Sequence, residues 1–269
     1  MTALLLHSLQ RVRTLVVVIG LLLALLQFIL ILVARSIENA GQFAQLATLL
    51  PPFVRALMGP AVTAFLSFGG IVSLGYFEPG VIFAVVGLSI AVGTRIALEV
   101  ETGFIDLILA RPVARHRMVT RAIVVSIVSL SFVVALMLAG TWIGLRTLAP
   151  DTVEKPAARL ILGLAANLGL LGMAWSSIGL AIASASRRRG VAGGVAGVLA
   201  LVTFLLDYIA RLWEPAKAFA WLSPFTYFSP LDLVTGGELS MKNVVVLGGI
   251  AVGGFVGAYV LFLRRDISR

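Results

Sequence analysis

The residues best placed to do chemistry lie between Glu99 and Arg121, in the stretch EVETGFIDLILARPVARHRMVTR. Acids, a glycine, a short apolar run, a proline and four arginines fall together there, in a chain that is otherwise mostly uninterrupted hydrophobic sequence. The chemistry this composition supports is docking and charge pairing. Glu101 sits where a short helix would begin and where the helix dipole favours a carboxylate. Phe104, Leu107 and Ile108 follow at the i, i+3, i+4 spacing of one apolar stripe. Pro112 stops that helix, and Arg115, Arg117 and Arg121 mark the start of the next membrane segment. A plain connecting loop needs charge and turn residues, but not an apolar run from Phe104 to Leu109 held between a glycine and a proline.

Bond-making chemistry has little to work with. His7 and His116 are the only histidines and both sit at a membrane margin, so neither an HExxH zinc site nor a histidine-assisted serine can be assembled within the membrane. The glycine-rich stretches at 69–75, 190–197 and 248–257 have no lysine where a GxxxxGK[ST] phosphate loop requires one. The chain is therefore read as no enzyme, without cofactor or metal sites. Asp, Glu, Lys, Arg and His are missing from the middle of every apolar segment, which weighs against an ion-coupled pathway.

The elements that must position Glu99–Arg121 are membrane helices. The 269 residues are 60% hydrophobic and 12% charged, with a mean hydropathy of +1.07; soluble domains carry about 25% charge. A pI near 11.0 would point to nucleic acid in a soluble protein. In a membrane protein a basic excess records orientation instead, and no nucleic-acid partner is expected. The absence of cysteine excludes disulfides and thiolate metal sites but does not fix a compartment.

Six spans follow, at about residues 14–34, 79–98, 122–144, 160–184, 190–208 and 243–263. The first has 21 residues, which at about 1.5 Å each reach roughly 31 Å and cover a hydrocarbon core. Its apolar run exceeds the 7 to 15 or so residues of a cleaved signal, so a retained helix is expected. Residues 35–60 read as an external, partly amphipathic loop. Residues 61–77, broken by Gly69, Gly70 and Gly75, read as an interfacial or re-entrant segment ending in the belt residues Tyr76 and Phe77. Residues 209–242 form a second external piece, whose prolines and Trp213, Trp221 and Tyr227 suit the interface. The expected fold is an all-α polytopic membrane protein of one domain, with six transmembrane helices, an interfacial or re-entrant segment before the second span, a short amphipathic helix after it and no nucleotide-binding domain.

Charge orients this arrangement. One side gathers 13 of the 21 Lys and Arg with 4 of the 12 acids, leaving 8 and 8 on the other. The first side is cytoplasmic by the positive-inside rule, which places both termini inside. A seventh span at 61–77 would reverse the bias and is rejected. The triplet Arg187, Arg188 and Arg189 is read either as a topology signal anchoring anionic lipid or as a second contact for a cytoplasmic partner.

Small residues recur four apart, as Gly190 with Gly194, Gly193 with Gly197, Gly249 with Gly253 and Gly253 with Gly257. Two readings stand: helices that pack closely and slide, or ordinary membrane packing. Gln27, Asn167, Ser176 and Ser177 either face a polar path or bond to a neighbouring helix.

The stretch EVETGFIDLILARPVAR, residues 99–115, resembles a family signature: that of the permease subunits of ABC transporters of the ABC-2 type. Glu99, Glu101, Gly103, Pro112 and Arg115 stand at its marker positions. Phe104 replaces a usual threonine and Ala114 a common serine, and neither breaks the apolar stripe. LSPFTYFSP, residues 222–230, is similar to that family's external segment before its last helix.

The resemblance implies a dimer, with a second copy or a homologous permease, each subunit resting on a separate cytoplasmic ATPase that binds ATP and Mg. It implies an ATP-driven exporter in the plasma (inner) membrane, driven through the coupling helix. Phe104, Leu107 and Ile108 would be the buried knob, Glu99 and Glu101 would pair with the ATPase or cap the helix, and Pro112 with Arg115 would fix its exit. A non-transporting scaffold or sensor and an ion-coupled secondary transporter are the alternatives. An amphipathic drug, a lipid-linked molecule or a peptide is the favoured substrate class.

Overall fold

The computed structural model describes residues 2–39, 66–102, 116–150 and 153–264. Among them every regular element is a helix and no strand occurs. In chain order the elements are α1 (Thr2–Asn39), α2 (Phe68–Leu74), α3 (Pro79–Gly93), α4 (Arg95–Glu101), α5 (His116–Thr147), α6 (Ala158–Ala185) and α7 (Arg189–Leu212). Then follow α8 (Glu214–Lys217), two 3₁₀ turns (Ala220–Leu222 and Pro224–Tyr227), α9 (Pro230–Val234) and α10 (Met241–Leu263). Among the described residues six stretches are long and apolar enough to cross a membrane, and each contains or overlaps one of the six expected spans. The second is composite, running from Phe68 to Glu101 through α2, α3 and α4.

Local sequence explains the breaks. Ser67 caps α2 by accepting the Gly70 N–H on its side chain, and Glu78 caps α3 from Val81 with Pro79 in the first turn. Thr94 ends α3, turning its hydroxyl back onto the Ile90 carbonyl at 2.7 Å, and α4 restarts at Arg95. At about 1.5 Å per residue α1 is roughly 57 Å long, so the amphipathic lead before Thr14 is continuous with the first span.

Helix α6 is the axis of the bundle. It packs on α3, α5, α7 and α10, while α1 lies mainly along α5. Of its most apolar window 61% is buried, against 17% for α7 and for α10, which form the rim. The close approaches use glycine. A methyl group built on Gly93 would overlap the Ser176 carbonyl of α6, and one on Gly254 would overlap the side chain of Ser177. These contacts bring α3 and α10 against consecutive residues of the axis. The glycines at four-residue spacing are different: Gly190, Gly193, Gly194, Gly197, Gly249, Gly253 and Gly257 meet nothing within 4 Å.

Two expectations change. Tyr76 is fully buried and its hydroxyl lies 2.8 Å from Thr141 Oγ1, which itself donates to the Met137 carbonyl. It is a core residue of the bundle rather than part of an interfacial belt, because α2 folds back onto α1 and carries it inward. In residues 209–242, Trp213 and Trp221 are exposed as interfacial residues would be, but Phe225 and Phe228 insert into the core.

Candidate functional site

Helix α4 occupies one end of the bundle, beside the turn between α6 and α7. Its apolar residues Ile96 and Ala97 belong to a compact cluster with Met118 and Val119 of α5, Leu180 and Ala183 of α6, Ala192 of α7, and Ala258 and Phe262 of α10. Helix α4 itself packs on α5, α6 and α7 as well as on the end of α3.

Its polar residues reach three helices. Arg95 donates from Nη1 to the Arg11 carbonyl of α1 at 3.0 Å. Glu99, one turn on, forms an ion pair with Arg121 of α5. The side chains are 11% and 4% exposed, so this pair is shielded from solvent and its loss leaves a charge in a poorly solvated place. The crevice beside it holds about 20 Å³, too little for any substrate. Glu101 accepts the backbone N–H of Arg189 at 2.9 Å. Arg188, at the N-cap of α7, makes no side-chain capping bond, so Glu101 does that work from 88 residues away and places a carboxylate on the positive end of α7.

The two polar motifs singled out in the sequence thus meet, at Glu101 and Arg189. Glu101 is the last residue of a helix rather than the first of one. Glu99 is turned inward, toward Arg121. Arg187 and Arg188 are exposed and Arg189 is half-buried. Gly103, Phe104, Leu107, Ile108, Pro112 and Arg115 lie outside the described residues.

Sequence reading assigned Arg121 and Arg95 to topology and missed their ties. The available signal was the spacing of Arg95 and Glu99, four apart and so on one face of a helix. Among the described residues no group of His, Cys, Asp or Glu is arranged to hold a metal ion. Of the polar residues singled out within the spans, Ser177 donates to the Ala174 carbonyl at 2.8 Å and lies 3.3 Å from the Ile250 carbonyl of the neighbouring α10, whereas Gln27, Asn167 and Ser176 are buried with no partner among the described residues. Among the described residues, the arrangement ties α4 to α1, α5 and α7.

Neither a protein-family model nor a curated protein matches this chain.

Proposed function

We propose that this chain is the membrane-spanning permease subunit of an ATP-driven exporter of the ABC-2 type. A separate cytoplasmic ATPase binds ATP and Mg, and residues 103–115 are the part of this chain that it pushes. The observation that supports this reading is the tie of α4, which directly precedes that segment, to α1, α5 and α7. A displacement delivered to α4 would be passed through these ties to three spans, as rigid-body switching between two packings requires. The end that carries α4 and the arginine turn is then cytoplasmic, as are both termini, and the membrane is the plasma (inner) membrane.

A second copy of the chain, or a homologous permease, completes the path between two membrane halves. The open glycines of α7 and α10 support this, since both helices carry small-residue faces that nothing among the described residues covers.

The test is isolation of the chain from its native membranes with its associated proteins, followed by Mg-ATP hydrolysis and ATP-driven uptake of amphipathic probes in liposomes. Leu107→Asp combined with Ile108→Asp should abolish co-isolation of an ATPase while insertion is unchanged. Uptake driven by an ion gradient without nucleotide would support a secondary transporter instead, and absence of any flux a scaffold.

A further inference from the structure

At the end of the bundle opposite α4, a cavity of about 340 Å³ opens between the last turns of α7, the segment 226–232 and the start of α3. That volume is at the lower end of the roughly 300–1,000 Å³ of small-molecule sites. Its walls are aromatic: Phe77, Phe204, Tyr208 and Phe228 all line it. Phe204 is held in place by ring contacts with Phe83 at 4.8 Å and with Phe225 at 5.4 Å. The wall on that side is therefore preformed.

The charges in the cavity are two carboxylates and one guanidinium. Arg211 is already engaged, donating from Nε and Nη2 to Asp207 Oδ2 at 3.1 and 2.8 Å. The other oxygen of Asp207 lies 2.9 Å from the Thr226 hydroxyl. This network neutralises Arg211 and leaves Asp232 on α9 as a carboxylate with no ion-pair partner among the described residues. The site thus carries a formal charge of −1, from the exposed Asp232 carboxylate at the mouth of a partly aromatic cavity. Anions are disfavoured, while an ammonium group gains from the carboxylate and from the faces of the rings together. The lip of the cavity is apolar and open: Tyr208 is 56% exposed, and Leu205, Ile209 and Leu212 continue the exposed apolar face of α7. A hydrocarbon chain attached to the ammonium would lie along that face.

We infer that this cavity is a binding site for the ammonium head of an amphipathic molecule, with the apolar tail lying on α7. Two sources share this chemistry, a soluble alkylammonium and the choline or ethanolamine head of a phospholipid. The inference does not depend on the ATPase reading, since binding needs only this chain.

The experiment uses the full chain in nanodiscs of phosphatidylglycerol, which has no ammonium group. Decyltrimethylammonium, decanol and decyl sulfate are titrated against it by isothermal titration calorimetry, with empty nanodiscs subtracted. The expected result is ammonium binding about tenfold tighter than that of the neutral alcohol, with the sulfate weakest. Asp232→Asn should remove that preference and leave decanol binding unchanged. If Asp232→Asn does not fold, Leu231→Trp, which narrows the cavity from its exposed rim, should weaken all three probes. Repeating the titration in phosphatidylcholine nanodiscs separates the sources. Competition by the bilayer assigns the site to a lipid head, and undiminished binding assigns it to a soluble amphiphile. Equal binding of ammonium and alcohol to the unaltered chain, or a preference for the sulfate, would overturn the inference, as would an ammonium preference that survives in a folded Asp232→Asn chain.

Discussion

The two ends of this bundle use charge in opposite ways. At the α4 end the ion pair of Glu99 and Arg121 is shielded, and Glu101 is spent on a backbone N–H of another helix. At the opposite end Arg159 with Glu238 and Lys217 with Glu214 are exposed pairs, with side chains 79% and 73%, and 56% and 84%, open to solvent. Shielded pairs fix geometry because breaking one strands a charge, whereas exposed pairs are worth about 0 to 1 kcal/mol each. The contrast teaches that the first end is built to hold its parts together. The second, with its aromatic cavity, is built to admit something between them.

The largest test of this contrast is Arg121→Ala, which leaves Glu99 without its partner. It should destabilise the chain by ~3–5 kcal/mol in detergent-denaturation titrations, and the double change Glu99→Gln with Arg121→Met should recover most of the loss. A loss below about 1 kcal/mol for the single change would remove the distinction between the ends. Next in size is Gly93→Val, which forces β-carbon and methyl groups into the Ser176 carbonyl; a loss of ~1–3 kcal/mol and a lower melting temperature are expected.

A smaller effect, and one that sharpens the comparison, comes from Glu101→Ala. Removal of a helix cap costs ~0.5–2 kcal/mol, and the exposure of this contact puts it at the low end. Its readout is local: amide exchange in the first turn of α7 should quicken while α5 and α6 are unaffected. Smallest of all, Glu238→Ala should change stability by less than about 1 kcal/mol.

Much of the architecture was legible in the amino-acid sequence because bilayer thickness imposes a length on every span, and charge-free runs of that length are hard to mistake. The break between α3 and α4 was not, since α3 closes on Gly93 and Thr94 and α4 restarts at Arg95, and a lone glycine within an apolar run does not by itself mark a helix end. Glu101 was read as a helix start because its local context, two residues before Gly103, allowed it; its actual partner is 88 residues away and left no local trace. Tyr76 was misread for the same reason. An aromatic residue at the edge of an apolar run suits a headgroup belt, and only the return of α2 onto α1 shows that its hydroxyl belongs to Thr141. Gly93 and Gly254 carry the tight packing although neither belongs to a four-residue glycine pair that drew notice, because contact depends on which face meets α6.

The central claim is that α4 moves as one body with the helices it is tied to when a partner ATPase closes. The chain has no cysteine, so paired labels can be placed without background. Spin labels at Thr102 and Arg188 would report the α4 to α7 distance within one copy, and labels at Thr102 alone the distance between two copies in the isolated complex. On adding Mg-ATP with vanadate, the account predicts that the distance within a copy holds while the distance between copies shifts. A change within the copy, with the distance between copies fixed, would contradict it.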